Sequence, residues 1–111
     1  HVVYLTGRHG RTMTEGTRKQ LENFSFPTLN TSIFLKDNVL IEDQIFKSEC
    51  VKQVQKSYDV IGNFENEYIN VAYMALEIPK AINVIVDSHH SGRPVPKLDV
   101  QVYRIFGFTE I

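Results

Sequence analysis

A single cysteine, Cys50, stands in the 111 residues of this chain, so no disulfide can close within it. Such sparing use leans towards a reducing compartment, and the expected location is cytoplasmic. Charge of either sign is not in excess: the formal net charge of -1 gives no reason to expect a nucleic-acid or anionic-membrane partner. No apolar run approaches the roughly 20 residues that a membrane-spanning helix requires. A basic-then-apolar leader is missing too, so no export is expected. There is no initiator Met; the chain opens on His1, almost inside a run of strand formers, as a truncated or processed start would. Repeats, low-complexity tracts and linkers are likewise absent.

Several chemical signatures are also missing. Gly7 to Arg11 has two glycines three apart, but not the lysine and spacing of a phosphate-cradling P-loop, nor the third glycine of a dinucleotide fingerprint. No histidines stand four apart with a further ligand, as zinc would need. His89 and His90 are adjacent, so their rings diverge, and both read as loop residues at a cleft edge.

What is present is the composition of one soluble globular domain, 42% hydrophobic and 23% charged. Val2 to Thr6 is a β-branched and aromatic run that reads as a buried strand. Gly7 to Thr12 reads as a loop, and Thr14 as the cap of a helix carrying Thr17, Leu21 and Phe24 along one side until Pro27. Ser32 to Leu35 is a second strand. Glu42 to Lys56 is helical, with an apolar stripe of Ile45, Phe46, Cys50, Val51 and Val54, which makes Cys50 a core thiol rather than a nucleophile. "YDVIGNF" is a third strand and Asn66 to Leu76 a third helix, stopped by Pro79. "AINVIVD" is a fourth strand, apolar enough to be covered on both faces. "SHHSGRPVPK" is a loop and "DVQVYRIFGF" a terminal strand. Strands alternating with helices predict a Rossmann-like, three-layer α/β fold: a parallel sheet with crossover helices.

In such sheets ligands bind beyond the carboxyl ends of the strands. Thr6, Gly7 and Arg8 follow the first strand: a hydroxyl, free amides and a guanidinium suit a phosphate, although a strand ending in Thr-Gly also makes an ordinary polar turn. Lys47, in the first half of its helix, can neutralise an anion or simply be solvated. Asn63, Glu65 and Glu67 form an amide and carboxylate cluster whose hard oxygens suit magnesium, and carboxylates equally favour a helix start.

Together and in order, these segments resemble the haloacid dehalogenase-like hydrolases, a superfamily dominated by aspartate-nucleophile phosphatases. "VVYLTGRHGRTMTEGTRKQLENFSFP" is similar to the second motif region of that family, "EDQIFKSECVKQV" to the third, and "VIGNFENEYINVAYMALEIPKAINVIVDS" to the fourth with the strand after it. The resemblance spans nearly the whole chain, residues 1–111, as a single partial core domain. It implies that Thr6 and Lys47 are catalytic, Thr6 bonding the transferring phosphoryl group and Lys47 offsetting its charge. Gly7 and Arg8 would bind substrate, and Glu65 or Asn63, with Glu67, would hold Mg2+. The fourth motif is altered: where the family has aspartates, Gly62 is followed by Asn63, and Glu67 takes the later position. The first motif, Asp-x-Asp, occurs nowhere in the sequence. Its strand would lie between the first and third strands of this chain, so the sheet is expected to be incomplete and to expose apolar edges. The resemblance thus implies a fragment of a magnesium-dependent phosphohydrolase, inactive alone, whose partners are a phosphorylated substrate and an amino-terminal segment or companion chain. The alternatives are a catalytically inactive binding module on the same fold and an unrelated Rossmann-like nucleotide binder.

Overall fold

A computed structural model describes residues 1–87, 92–94, 97 and 100–106. The expectations for His89, His90 and the ends of "DVQVYRIFGF" lie outside the described residues. Strand β1 (Val2–His9) leads into helix α1 (Gly10–Asn23), strand β2 (Thr31–Lys36) and helix α2 (Asp43–Gln55). Strand β3 (Gly62–Glu65), helix α3 (Tyr68–Glu77), strand β4 (Ile82–Val86) and strand β5 (Val102–Ile105) follow. All strand pairs are parallel, and they form two small sheets, β1–β2 and β3–β4–β5. The molecule is therefore α/β, with parallel strands joined by helices.

The predicted loop at Gly7 to Thr12 is instead an irregular strand end running straight into α1. β1 and β2 stay in step from Val2 opposite Thr31 to Thr6 opposite Leu35, then slip so that His9 meets Lys36. Gly7 lies in the slipped stretch, where any Cβ would sit 2.5 Å from Asp43 Oδ1. A side chain there would have to push the Asp43 carboxylate aside, disturbing its pairing with Lys36. Thr14 is not the cap of α1: His9 holds that place, and the Thr14 hydroxyl donates to the Gly10 carbonyl inside the first turn. The helix also ends before Pro27. Ser25 takes a left-handed conformation (φ 61°), with its N–H donating to Glu22 O and the Phe26 N–H to Leu21 O. Those two bonds satisfy the last carbonyls in a Schellman closure.

Adjacent residues of β1 face opposite ways. Leu5 packs with Val51, Met74 and Ile78 of the α2–α3 side, while Arg8 Nη1 donates to Thr17 Oγ1 of α1. Helix α1 thus covers one face of the first sheet, and α2 the other; α2 packs along α3, which lies on β3 and β4. The core is Val51, Met74 and Ile78, with Leu5, Val60 and Ala81 against it, while Val71 and Ala75 are fully buried.

β4 is not covered on both faces along its length, because Ile82 is exposed. It also carries a fully buried amide, Asn83, whose Nδ2 donates to Ile78 O and Ala81 O and whose Oδ1 accepts from Asn63 Nδ2. That side chain closes the turn from α3 into β4. On the other side of the sheets, β1 pairs only with β2 and β3 only with β4 among the described residues. Their two remaining edges face one cavity of about 470 Å3, walled by Val2, Val3 and Leu5 and by Ile61 to Glu65. The ring of His1 stacks on Tyr58 at 4.6 Å beside it.

Replacing Asn83 by Leu takes the partner from the buried Asn63 amide and a donor from Ala81 O, at about 1–3 kcal/mol for each unmet group before relaxation, while Ile78 O keeps the Ala81 N–H. Urea unfolding of Asn83→Leu is expected to give a net loss of about 3 kcal/mol, well above that of a surface substitution.

Candidate site at the head of helix α2

The first two turns of α2 break the expected apolar stripe. Ile45 is exposed, and the buried positions are Gln44, Lys47 and Ser48, followed by Cys50 and Val51. Polar groups buried on a helix face need partners, and each of these has one. The amide of Gln44 donates to Glu42 Oε2, and the Ser48 hydroxyl to Ile45 O. Lys47 Nζ donates to Glu65 Oε2 at 2.7 Å, with both side chains about nine-tenths buried.

Glu65 is the last residue of β3, where the chain turns into α3. Its other oxygen, Oε1, accepts the N–H groups of Asn66 at 3.0 Å and Glu67 at 3.3 Å. One carboxylate thus ties together an ammonium from α2, the end of β3 and the start of α3. Beside it, Lys36 Nζ pairs with Asp43, which in turn presses on Gly7. Gly7 and Glu65 therefore meet the same, amino-terminal end of α2, and so share one rim of the fold.

The sequence-predicted residues distribute unevenly around this rim. Lys47, Glu65 and Glu67 converge on it, with Gly7 next to them. Thr6 sits at the same end of β1, but its hydroxyl accepts the Arg8 N–H at 3.3 Å and faces α1. Arg8 is committed to α1 through Thr17 and Gln20. Asn63 stands one pleat back along β3, its amide directed to Asn83 at 3.2 Å. The cluster after β4 reaches the rim through a residue the sequence did not single out, Arg93. Its Nη1 donates to Gln44 Oε1 at 3.0 Å and its Nη2 to Asn70 Oδ1 at 3.4 Å, with Glu67 Oε2 3.8 Å away. Lys36, Asp43, Gln44 and Asn70 also escape sequence reasoning. The available signal is the run of polar residues at i, i+3 and i+4 on what should have been the apolar side of α2.

Among the described residues no three His, Cys, Asp or Glu side chains are grouped as a protein-only metal cage would need. Magnesium asks for less: one or two carboxylates, with water and substrate phosphate completing the shell. Glu65 suits that demand, because among the described residues Oε2 accepts only Lys47 and a carboxylate oxygen has two acceptor sites. Asn63 lies further back along β3, with its amide nitrogen donating to Asn83 Oδ1.

Cys50, one turn past Lys47, is buried, and its thiol is pushed up to about 11, chiefly by burial and further by Glu49, with Lys47 opposing. It is therefore held as the inert thiol in the folded chain. The unfolded chain ionises first, so stability is unaffected below pH 9 and falls as pH rises from 9 towards 11. Alkylation by iodoacetamide at pH 8 is expected to be slow in the folded protein and rapid in urea.

The ion pair makes a sharper prediction. Lys47→Met leaves Glu65 buried without its cation, at an expected cost of about 3–5 kcal/mol in urea unfolding. Removing both charges, in Lys47→Met with Glu65→Leu, is expected to recover most of that loss. Compared with protein-family models, curated proteins and solved structures, the chain finds no match.

Proposed function

We propose that this chain is the carboxyl-terminal part of a magnesium-dependent phosphohydrolase of the haloacid dehalogenase-like superfamily. On this reading it hydrolyses a phosphate monoester through an aspartyl phosphate, and the nucleophile lies on a segment outside this sequence. The observation that carries the proposal is the cavity between β1 and β3. Two strand edges face it, and its wall ends at Glu65, beside Lys47. An extended segment pairing with both edges would complete one parallel sheet in the order β2-β1-x-β3-β4-β5, each neighbour roughly 4.8 Å away. Its carboxyl end would then deliver the family's Asp-x-Asp to the Lys47–Glu65 rim. Such a segment would be an amino-terminal extension or a companion chain.

The roles follow from chemistry. Lys47, desolvated and fixed, would offset negative charge gathering on the phosphoryl oxygens. Glu65, with Glu67 adjacent, would hold the magnesium, which supplies further charge neutralisation when bound. Thr6 would bond a phosphoryl oxygen once its hydroxyl turned from the Arg8 amide, and Gly7 would offer its backbone. Arg8, engaged with Thr17 and Gln20, would serve substrate only after leaving α1. The short turn from β3 into α3 leaves the rim open, which suits bulky or macromolecular phosphoesters. The single buried thiol accords with a cytoplasmic setting. No helix among the described residues is long and apolar enough to cross a membrane.

A second reading, an inactive binding module on the same fold, draws on one observation. The altered fourth motif leaves Glu65 already bonded to Lys47 and two amides. Assay of the intact protein on a panel of phosphoesters, with and without magnesium, separates the two. Magnesium-dependent release of phosphate is expected. An intact protein that carries Asp-x-Asp yet turns over no phosphoester would sink the enzyme reading. In an active protein Lys47→Ala is expected to cut turnover by roughly 10²–10³, Thr6→Val by less, and Glu65→Gln to raise the magnesium needed for half-maximal rate.

A further inference from the structure

The two sheets share no ladder among the described residues, so hydrogen bonding between strands does not set the distance between the heads of α2 and α3. Besides the Lys47–Glu65 pair, one further side chain among the described residues spans them. Arg93, from the crossover between β4 and β5, donates from Nη1 to Gln44 on α2 and from Nη2 to Asn70 on α3. Both acceptor residues are buried, Asn70 almost completely. The same Nη2 lies 3.8 Å from Glu67, the residue at the N-cap position of α3.

Each of these partners is close in the chain to the central ion pair. Gln44 stands one turn before Lys47, and Glu67 gives its N–H to the Glu65 carboxylate. Asn70 belongs to the first turn of α3. We propose that Arg93 is a positioning residue of the site, clasping the first turns of α2 and α3 so that Lys47 and Glu65 hold their mutual geometry. The planar guanidinium fits this role because its fork presents donors in fixed directions to two acceptors on different helices. A lysine is a point donor on a flexible stem and cannot reproduce both bonds with the same rigidity. Removal would also leave the Gln44 and Asn70 oxygens without this donor in a buried setting, loosening the first turns rather than the core around Val51 and Met74.

The catalytic consequence rests on the phosphohydrolase reading, but the clasp does not, and the experiment keeps them apart. Hydrogen exchange of the metal-free intact protein is compared for the parent, Arg93→Met and Arg93→Lys. Faster exchange confined to residues 44–48 and 68–71 in Arg93→Met, only partly restored in Arg93→Lys, is the expected result. Unchanged exchange there, or a uniform rise along the chain, would overturn the clasp. In the active protein, misplacing charges by a fraction of an ångström is expected to lower kcat roughly tenfold or more. KM is expected to change little and the magnesium requirement to rise. A fall carried by KM alone, or no change in either kcat or the magnesium requirement, would remove the positioning role. Absence of turnover in the parent would count against the phosphohydrolase reading, leaving exchange to decide the clasp. If Arg93→Met does not fold, Gln44→Ala severs the α2 half alone and is read by the same criteria.

Discussion

A buried charge has to be answered, and the head of this fold is arranged around one such answer. Lys47 of α2 and Glu65 of β3, 18 residues apart in the chain, meet largely out of water at 2.7 Å. Water is no longer available to solvate either group, so the surroundings supply partners: two backbone amides for the remaining carboxylate oxygen, and closely packed helices around the ammonium. Such a pair contributes little net stability, since desolvation consumes most of the attraction. Its effect is on geometry. It fixes where α2 begins relative to the end of β3, and the Lys36–Asp43 pair fixes α2 against the end of β2. Those two constraints bring together side chains that the chain order keeps far apart.

The elements themselves are largely legible in the sequence. Periodicity announces α2 and α3 to within a residue or two, and β-branched runs announce β1, β2 and β4. Local signals fail where tertiary contacts decide the matter. Thr14 has the chemistry of a cap, but β1 continues to His9 and the helix begins at Gly10, ahead of it. Pro27 is a helix stop that is not needed, because Ser25 has already closed the helix. Ile45 joins the expected stripe because it is apolar. The buried side is taken instead by Gln44, Lys47 and Ser48; Ser48 is satisfied within the helix, but the Lys47 and Gln44 partners Glu65 and Arg93 lie beyond it.

The rim shows the same division. That Lys47 and the carboxylates after β3 come together can be read from their positions near strand ends. That Thr6 and Arg8 turn towards α1 follows from strand alternation, and Leu5 facing the core decides the phase. Arg93 cannot be read at all: an arginine between glycine and proline in a long connection has no periodic pattern to betray it. Only the folded arrangement gives it partners on two helices.

The cavity-facing borders of β1 and β3 carry a consequence for handling the molecule. Among the described residues no strand pairs with the cavity-facing border of either, and flanking Val2, Ile61 and Phe64 are exposed apolar surface. Such a template is indifferent to the source of its complement. When this chain is made by itself, its solubility is governed by a contest between strand complementation and self-association. Dilution, or co-expression with a complementary strand, favours the soluble outcome.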